Sequence, residues 1–144
     1  MNIILVQGGT ERQKNYVTSM AEYCIQKLMP RMRSLHIEIN LTSPKDAYGY
    51  CLSLDKRHFE IEVDRSMRLR RLLETVAHEM VHVKQYARNE LDDRCSKWQG
   101  KLIDPKTDYW DRPWEIEAHG REVGLFVRWA QDNNLGNKNW THDR

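Results

Sequence analysis

Apolar residues recur at steps of three and four in three stretches of the chain, and this spacing predicts three amphipathic helices. The stretches cover about residues 11–29, 69–87 and 113–132. Pro30 ends the first predicted helix, because proline cannot continue a helix. Pro113 stands at the opening turn of the third, where its missing N–H is tolerated.

Four shorter stretches predict β-strands. Residues 2–7 are a short apolar run ended by two glycines, and residues 35–41 and 58–64 alternate between apolar and polar side chains. Residues 48–54 are the fourth stretch, and residues 55–57 have the composition of a hairpin turn after it. The order strand, helix, three strands, helix, loop, helix predicts an α+β domain with a mostly antiparallel sheet of about four strands.

Length and composition predict one folded domain. The chain has 144 residues, of which 31% are charged and 40% apolar, as in soluble globular proteins. We expect the domain to cover residues 1–132 and residues 133–144 to be a loose C-terminal tail. The chain has no stretch that could span a membrane, its first apolar run is too short for a signal peptide, and its three cysteines form no CxxC pair. We therefore expect a cytoplasmic protein without a membrane partner, of unknown oligomeric state.

The charge balance argues against nucleic acid as the main partner. The net charge of +2 comes from 23 basic and 21 acidic residues. One local basic cluster is present and is expected to be mainly a solvated face; it consists of Arg65, Arg68, Arg70 and Arg71. An accessory role in nucleic-acid binding stays open for this cluster.

The strongest chemical signal is the run HEMVH, from His78 to His82, in the second predicted helix. Two histidines four residues apart lie on one face of a helix, so both imidazoles can bind one metal ion. Here that face lies nearly opposite the apolar stripe, which a core histidine would join. Glu79 would lie beside the ion, where it can accept a proton from water. The pattern predicts a catalytic Zn²⁺ site with His78 and His82 as ligands and Glu79 as general base.

A catalytic zinc usually has three protein ligands and one open position, so a third ligand is expected elsewhere in the chain. Glu115 and Glu117 of the third predicted helix are the candidates. Glu115 points toward the apolar arc of that helix, and a carboxylate turned toward a core needs a partner, either a metal or an N–H donor. Glu117 falls on the polar side with Arg121, spaced for a surface ion pair. We predict Glu115 as the third ligand and Glu117 as a solvated residue.

These motifs together resemble those of a known group of zinc peptidases. The run HEMVHVKQYAR at residues 78–88, combined with YWDRPWEIEAHGRE at residues 109–122, is similar to gluzincin-type zincins and most closely to small SprT-like proteins of tailed bacteriophages. The resemblance implies a zincin-like fold with an edge strand along the substrate cleft, a zinc-dependent hydrolytic site, and a place in the host cytoplasm. Many SprT-like proteins carry a cysteine-based zinc ribbon that is missing here, so a DNA-linked protease role does not carry over.

We therefore expect a zinc metallopeptidase, most simply an endopeptidase, that acts on a protein or peptide substrate. His119, Tyr109 and Tyr86 are candidates to contact the developing oxyanion or to orient a ligand, and Arg121 is a weaker one. Two alternatives stay open. Zinc could stabilise a non-catalytic module that binds another protein, or the basic cluster could make the chain an accessory nucleic-acid-binding protein.

Overall fold

The computed structural model describes residues 1–43 and 48–144. Within these ranges the chain forms three α-helices and six β-strands. In chain order the elements are β1 (Ile3–Gln7), α1 (Glu11–Leu28), β2 (His36–Thr42), β3 (Gly49–Ser53), β4 (His58–Asp64), α2 (Leu69–Ala87), β5 (Lys97–Trp98), β6 (Lys101–Leu102) and α3 (Pro113–Asp132). Short 3-10 helices at Tyr109–Asp111 and Asn139–His142 flank α3. The predicted α+β class is confirmed, with three helices and a four-stranded main sheet.

The helix boundaries follow local sequence signals. Thr10 and Gln13 form a capping box at the start of α1: Thr10 Oγ1 accepts from the Gln13 N–H (3.1 Å), and Gln13 Oε1 accepts from the Thr10 N–H (2.9 Å). Pro113 occupies the first turn of α3, as predicted. The bounds predicted from apolar spacing for the second and third helices match α2 and α3.

The main sheet has the strand order β1-β2-β4-β3 and is mixed. β1 pairs with β2 and β2 with β4 in parallel, while β3 pairs with β4 in antiparallel orientation. The prediction of a mostly antiparallel sheet is therefore wrong for the main sheet, in which two of the three strand pairs are parallel. Helix α1 supplies the crossover that the parallel neighbours β1 and β2 need, and β2 and β4 take the centre because each buries a full apolar face. β3 is left at one edge of the sheet.

Helix α2 is buried on all sides. It packs together with α1 on one face of the main sheet, and α3 packs against it from the other side. Every residue of α2 from Leu72 to Gln85 is buried as a result. The face of α2 that carries His78 and His82, opposite the apolar stripe, thus lies beneath α3. None of the helices in the described ranges is both long and apolar enough to cross a membrane.

Residues 133–144, predicted to be a loose tail, fold back onto the helices. Trp140 packs against Tyr16 of α1, with ring centroids 5.1 Å apart. Thr141 is buried, and its carbonyl accepts a hydrogen bond of 2.8 Å from Arg70 Nη1 of α2. The prediction of a loose tail is wrong because one tryptophan in a polar segment gives no periodic signal, although its ring can bury a large apolar area.

The basic cluster at the start of α2 is partly neutralised by a carboxylate. Glu74 is fully buried, and its two oxygens lie 3.0 Å from Arg70 Nε and 3.6 Å from Arg71 Nη1. Arg144 from the C-terminal segment also reaches Glu74, at 3.1 Å. A buried carboxylate needs such partners, so these arginines have a structural task inside the fold. They offer less free positive charge to a phosphate than the sequence alone suggests.

Candidate metal centre

Helix α2 carries the HEMVH run and brings both of its histidines to one place beneath α3. His78 Nε2 lies 3.0 Å from Glu115 Oε1, and His82 Nε2 lies 3.3 Å from the same oxygen. Ligand atoms of the three residues all lie within 4.8 Å of one another. In a tetrahedral zinc site with bonds of about 2.0–2.1 Å, neighbouring ligand atoms lie about 3.3 Å apart. The chemistry and the spacing of the three predicted ligands therefore fit zinc.

The other ring nitrogen of each histidine has a partner of its own. Nδ1 of His78 lies 3.3 Å from Glu122 Oε1, and Nδ1 of His82 lies 2.7 Å from Gln85 Oε1. When each Nδ1–H donates to these oxygens, both Nε2 atoms present a lone pair toward Glu115. No role was predicted from the sequence for Glu122 or Gln85. A weak signal existed, since Gln85 follows His82 by three residues and Glu122 follows Glu115 by seven, both helical spacings.

Gln85 also joins α2 to α3. It is fully buried, and its Nε2 donates to the carbonyl of Trp114 (2.9 Å) and to Glu117 Oε1 (3.0 Å). Glu117 forms the predicted ion pair with Arg121 (2.9 Å), but it also pairs with Lys84 of α2 at 2.5 Å. The prediction of a solvated Glu117 is wrong, because the packing of α3 on α2 places this carboxylate between three donors. Glu117 thus supports the helix contact from outside the cavity.

The electrostatics of the three candidate ligands favour a positive charge between them. Burial lowers the pKa of His78, but hydrogen bonds to Glu115 and Glu122 outweigh burial and raise that pKa to about 10. The pKa of His82 is raised in the same way, against burial, mainly by Glu115. Burial raises the pKa of Glu115, but the two histidines outweigh it and hold that pKa well below its usual range. A metal ion would replace the protons that these imidazoles otherwise carry.

Glu79 lies in the same cavity, on the side of the edge strand. Its side chain is buried, and burial raises the pKa of its carboxyl, while His82 and His78 oppose that rise. A Cβ added at Gly49 of β3 would lie 3.3 Å from Glu79 Oε2, so the absence of a side chain at Gly49 lets the strand approach α2 closely. A carboxylate with a raised pKa is a better proton acceptor than one with the ordinary pKa.

Of the three predicted oxyanion or orienting residues, Tyr109 and His119 contact proposed ligands and Tyr86 does not; the ring of His119 packs on that of His78, with centroids 4.5 Å apart. His119 Nδ1 lies 2.7 Å from Glu122 Oε1, and His119 Nε2 lies 2.9 Å from the Tyr109 hydroxyl. That hydroxyl is also within 3.1 Å of Glu115 Oε1, so its single proton can be donated to either residue. Tyr86 lines the cavity, but its hydroxyl lies 3.0 Å from Cys95 Sγ. Tyr109 and His119 therefore form the wall next to the ligands, and Tyr86 belongs to a more distant wall.

A second set of possible ligands overlaps the first. Ligand atoms of His78, His119 and Glu122 also lie within 4.8 Å of one another. In this set Glu122 Oε1 faces the Nδ1 atoms of both histidines, at 3.3 Å and 2.7 Å. Such a carboxylate, which accepts two imidazole N–H groups, orients the rings that lie around it. We therefore interpret Glu122 and His119 as residues that position the centre at His78, His82 and Glu115, and not as ligands of a separate ion.

The centre opens into a cavity of about 750 Å³ that borders the edge strand. Tyr48, Tyr50 and Cys51 line one side, and Trp114 and Tyr109 line the other. The sequence left open whether residues 48–54 or 58–64 form an exposed edge. The strand order places β3 at the edge and β4 in the interior of the sheet. An extended chain in the cavity would therefore run beside β3.

The comparisons with known proteins found no relative. The chain matches no protein-family model, no curated protein and no solved structure. The resemblance to SprT-like peptidases stays a prediction. The function is therefore inferred from the chemistry and geometry of the site.

Proposed function

We propose that the protein is a zinc-dependent metallopeptidase that hydrolyses peptide bonds. The observation that carries this proposal is the convergence of His78 Nε2, His82 Nε2 and Glu115 Oε1 in a cavity that also contains Glu79. Zinc bound there would lower the pKa of a water ligand to about 7 and polarise the scissile carbonyl. Three protein ligands leave a fourth position open, whereas structural zinc is usually closed by four.

The residues of the chain then have distinct tasks. Glu79 accepts a proton from the attacking water and passes it to the leaving amine, and the raised pKa of its carboxyl suits this exchange. Glu122 and Gln85 hold the two imidazoles in the orientation that directs Nε2 toward the ion. The Tyr109 hydroxyl, 3.1 Å from Glu115 Oε1, is a neutral donor for an oxyanion that develops beside the ligands.

The substrate we propose is an extended segment of protein. An edge strand can add one more strand through its main-chain N–H and C=O groups, and β3 is such an edge beside the cavity. Action in a reducing cytoplasm is part of the proposal. It is supported by the three cysteines, Cys24, Cys51 and Cys95, which are all free.

The decisive experiment separates metal binding from turnover. Glu79→Gln keeps the size of the side chain and removes the base, so hydrolysis of an unfolded protein such as casein should fall by about 10²–10⁴-fold. Elemental analysis should find the same zinc content in this variant as in the wild type. Glu22→Gln, on the exposed face of α1, is the matched control and should retain full activity.

Other outcomes identify the alternatives. A protein that contains zinc but cleaves no substrate, whether Glu79 is present or not, would be a zinc-stabilised binding module. A folded protein that binds no zinc would remove the basis of the proposal. Nucleic-acid binding that weakens steeply with salt would instead support a role for the basic cluster of α2.

A further inference from the structure

Two histidines lie side by side on the face of the main sheet that points away from the helices. β2 and β4 are parallel neighbours, and His36 of β2 is the register partner of His58 of β4. The centroids of their rings are 4.4 Å apart, and the ring planes are inclined by 31°. The alternating burial of both strands puts these side chains opposite the core. Strand register, not closeness in the sequence, brings the two rings together.

Glu38 completes this group. It follows His36 by two residues on β2 and so points to the same face, where its Oε2 lies 2.7 Å from His58 Nε2. Nε2 of His36 is enclosed and has no hydrogen-bond partner among residues 1–43 and 48–144. An enclosed polar nitrogen without a partner is costly, and natural folds rarely leave one. The group therefore lacks a partner for one nitrogen.

We propose that His36, Glu38 and His58 form a second transition-metal site. One ligand atom from each residue lies within 4.8 Å of the other two, giving two imidazole nitrogens and one carboxylate oxygen. This set suits Zn²⁺, Ni²⁺ and Cu²⁺. The ion accepts the lone pair of His36 Nε2 and lies between His58 and Glu38 in place of their hydrogen bond to each other.

The surroundings of the sheet site favour a cation. Glu60 is the register partner of Glu38, and Glu62 and Asp64 continue the same face of β4. A local excess of carboxylates raises the concentration of cations next to the surface. Because this face points away from α2, an ion here takes no part in the chemistry of the cavity. It instead links the two central strands of the sheet.

A count of bound ions tests the sheet site. The full-length protein is dialysed to equilibrium against Zn²⁺, and bound zinc is measured by elemental analysis in the wild type, His58→Gln and Glu60→Gln. His58→Gln should bind one ion fewer than the wild type, or require at least about tenfold more zinc to bind it. Loss of a residue that only hydrogen-bonds to a metal ligand already lowers metal affinity by about 10–100-fold, and loss of a ligand itself should lower it at least as much. Glu60→Gln is the matched control on the same face: it removes one of the surrounding carboxylates but no proposed ligand, so it should keep the wild-type number of bound ions and lower the zinc affinity far less than His58→Gln does. Equal counts and affinities in all three proteins would overturn the second site.

A second measurement needs no variant. Cu²⁺ added to the zinc-loaded wild type should broaden the amide NMR signals of residues 36–38 and 58–60 before those of α2, because a paramagnetic ion broadens signals close to it. Broadening confined to α2 and α3, or absent, would overturn the proposal. Both readouts are independent of hydrolysis, so a protein without peptidase activity could still contain the sheet site.

Discussion

Two clusters of two histidines and one glutamate lie on opposite sides of the main sheet, and they are held in different ways. At the α2 centre the histidine side chains are 9% and 10% exposed, and each Nδ1 has its own partner. At the sheet site the side chains of His58 and Glu38 are each 33% exposed, and His36 Nε2 has no partner in the described part of the chain. The same residue types thus form one centre whose rings are already held in place by hydrogen bonds, the α2 centre, and one that is more exposed and less constrained, the sheet site. Because preorganisation lowers the cost of binding, we expect the α2 centre to bind zinc more tightly.

The largest effect should come from removing the oxygen that both imidazoles share at the α2 centre. Glu115→Ala should lower zinc affinity by more than about 100-fold, because loss of a residue that only hydrogen-bonds to a metal ligand already lowers that affinity by about 10–100-fold. Glu117→Ala should change affinity far less, since Glu117 contacts Lys84 and Gln85 outside the cavity. Competition with a chromogenic zinc chelator measures both variants, and the reverse order would refute Glu115 as the third ligand.

Removal of the residues that accept hydrogen bonds from the histidine Nδ1 atoms should lower the zinc affinity of the α2 centre toward that of the sheet site. Gln85→Ala leaves His82 Nδ1 without its acceptor and should weaken zinc binding by about 10–100-fold. Glu122→Gln keeps an acceptor oxygen for His78 and should weaken it less than Glu122→Ala does. The same chelator competition applies. Wild-type affinity in Gln85→Ala would mean that preorganisation does not distinguish the two clusters.

The pH dependence of zinc binding should be strong at the α2 centre, which His58→Gln isolates from the sheet site. The pKa of His78 is raised to about 10, so its imidazole is protonated at neutral pH without metal. Zinc requires an unprotonated Nε2, so binding releases this proton, and affinity should rise about tenfold per pH unit for each proton released. Calorimetry in two buffers of different ionisation enthalpy counts the protons. Binding without proton release at pH 7 would contradict the electrostatics described above.

The smallest effect concerns the sheet site without metal. Glu38→Gln removes a partly exposed partner of His58 and should cost less than about 1 kcal/mol in the free energy of unfolding, as exposed pairs usually do. Urea denaturation in the presence of EDTA measures this cost. Added zinc should then stabilise the wild type more than the variant. A loss above about 2 kcal/mol without metal would show that the pair is structural and not an open ligand site.

Helical periodicity made much of the centre predictable from the sequence. The spacing of His78 and His82, and the orientation of Glu115 toward the core, follow from positions on single helices, so they needed no knowledge of the tertiary fold. The partners Glu122 and Gln85 depend on how α3 packs against α2, which no local pattern contains.

The sheet shows the same limit of what a local sequence pattern can predict. Alternation placed His36 and His58 on polar faces of their strands, but it could not tell which strands are neighbours. The two residues are therefore brought together only by the parallel pairing of β2 and β4. The docking of Trp140 on α1 and α3 was missed for a related reason, since its contacts are long-range and are made by a segment without a repeat.

The burial of α2 on every side has a consequence for when its parts become accessible to solvent. The amide hydrogens from Leu72 to Gln85 cannot exchange through local opening without breaking the contacts with α1, α3 and the sheet, so they should exchange only as the whole domain unfolds. Tyr109 lies on a short 3-10 helix and is 38% exposed, so its segment should exchange much earlier. The two proposed histidine ligands and the base should therefore belong to the slowest-exchanging part of the molecule, while the Tyr109 hydroxyl beside them lies on a segment that should exchange early.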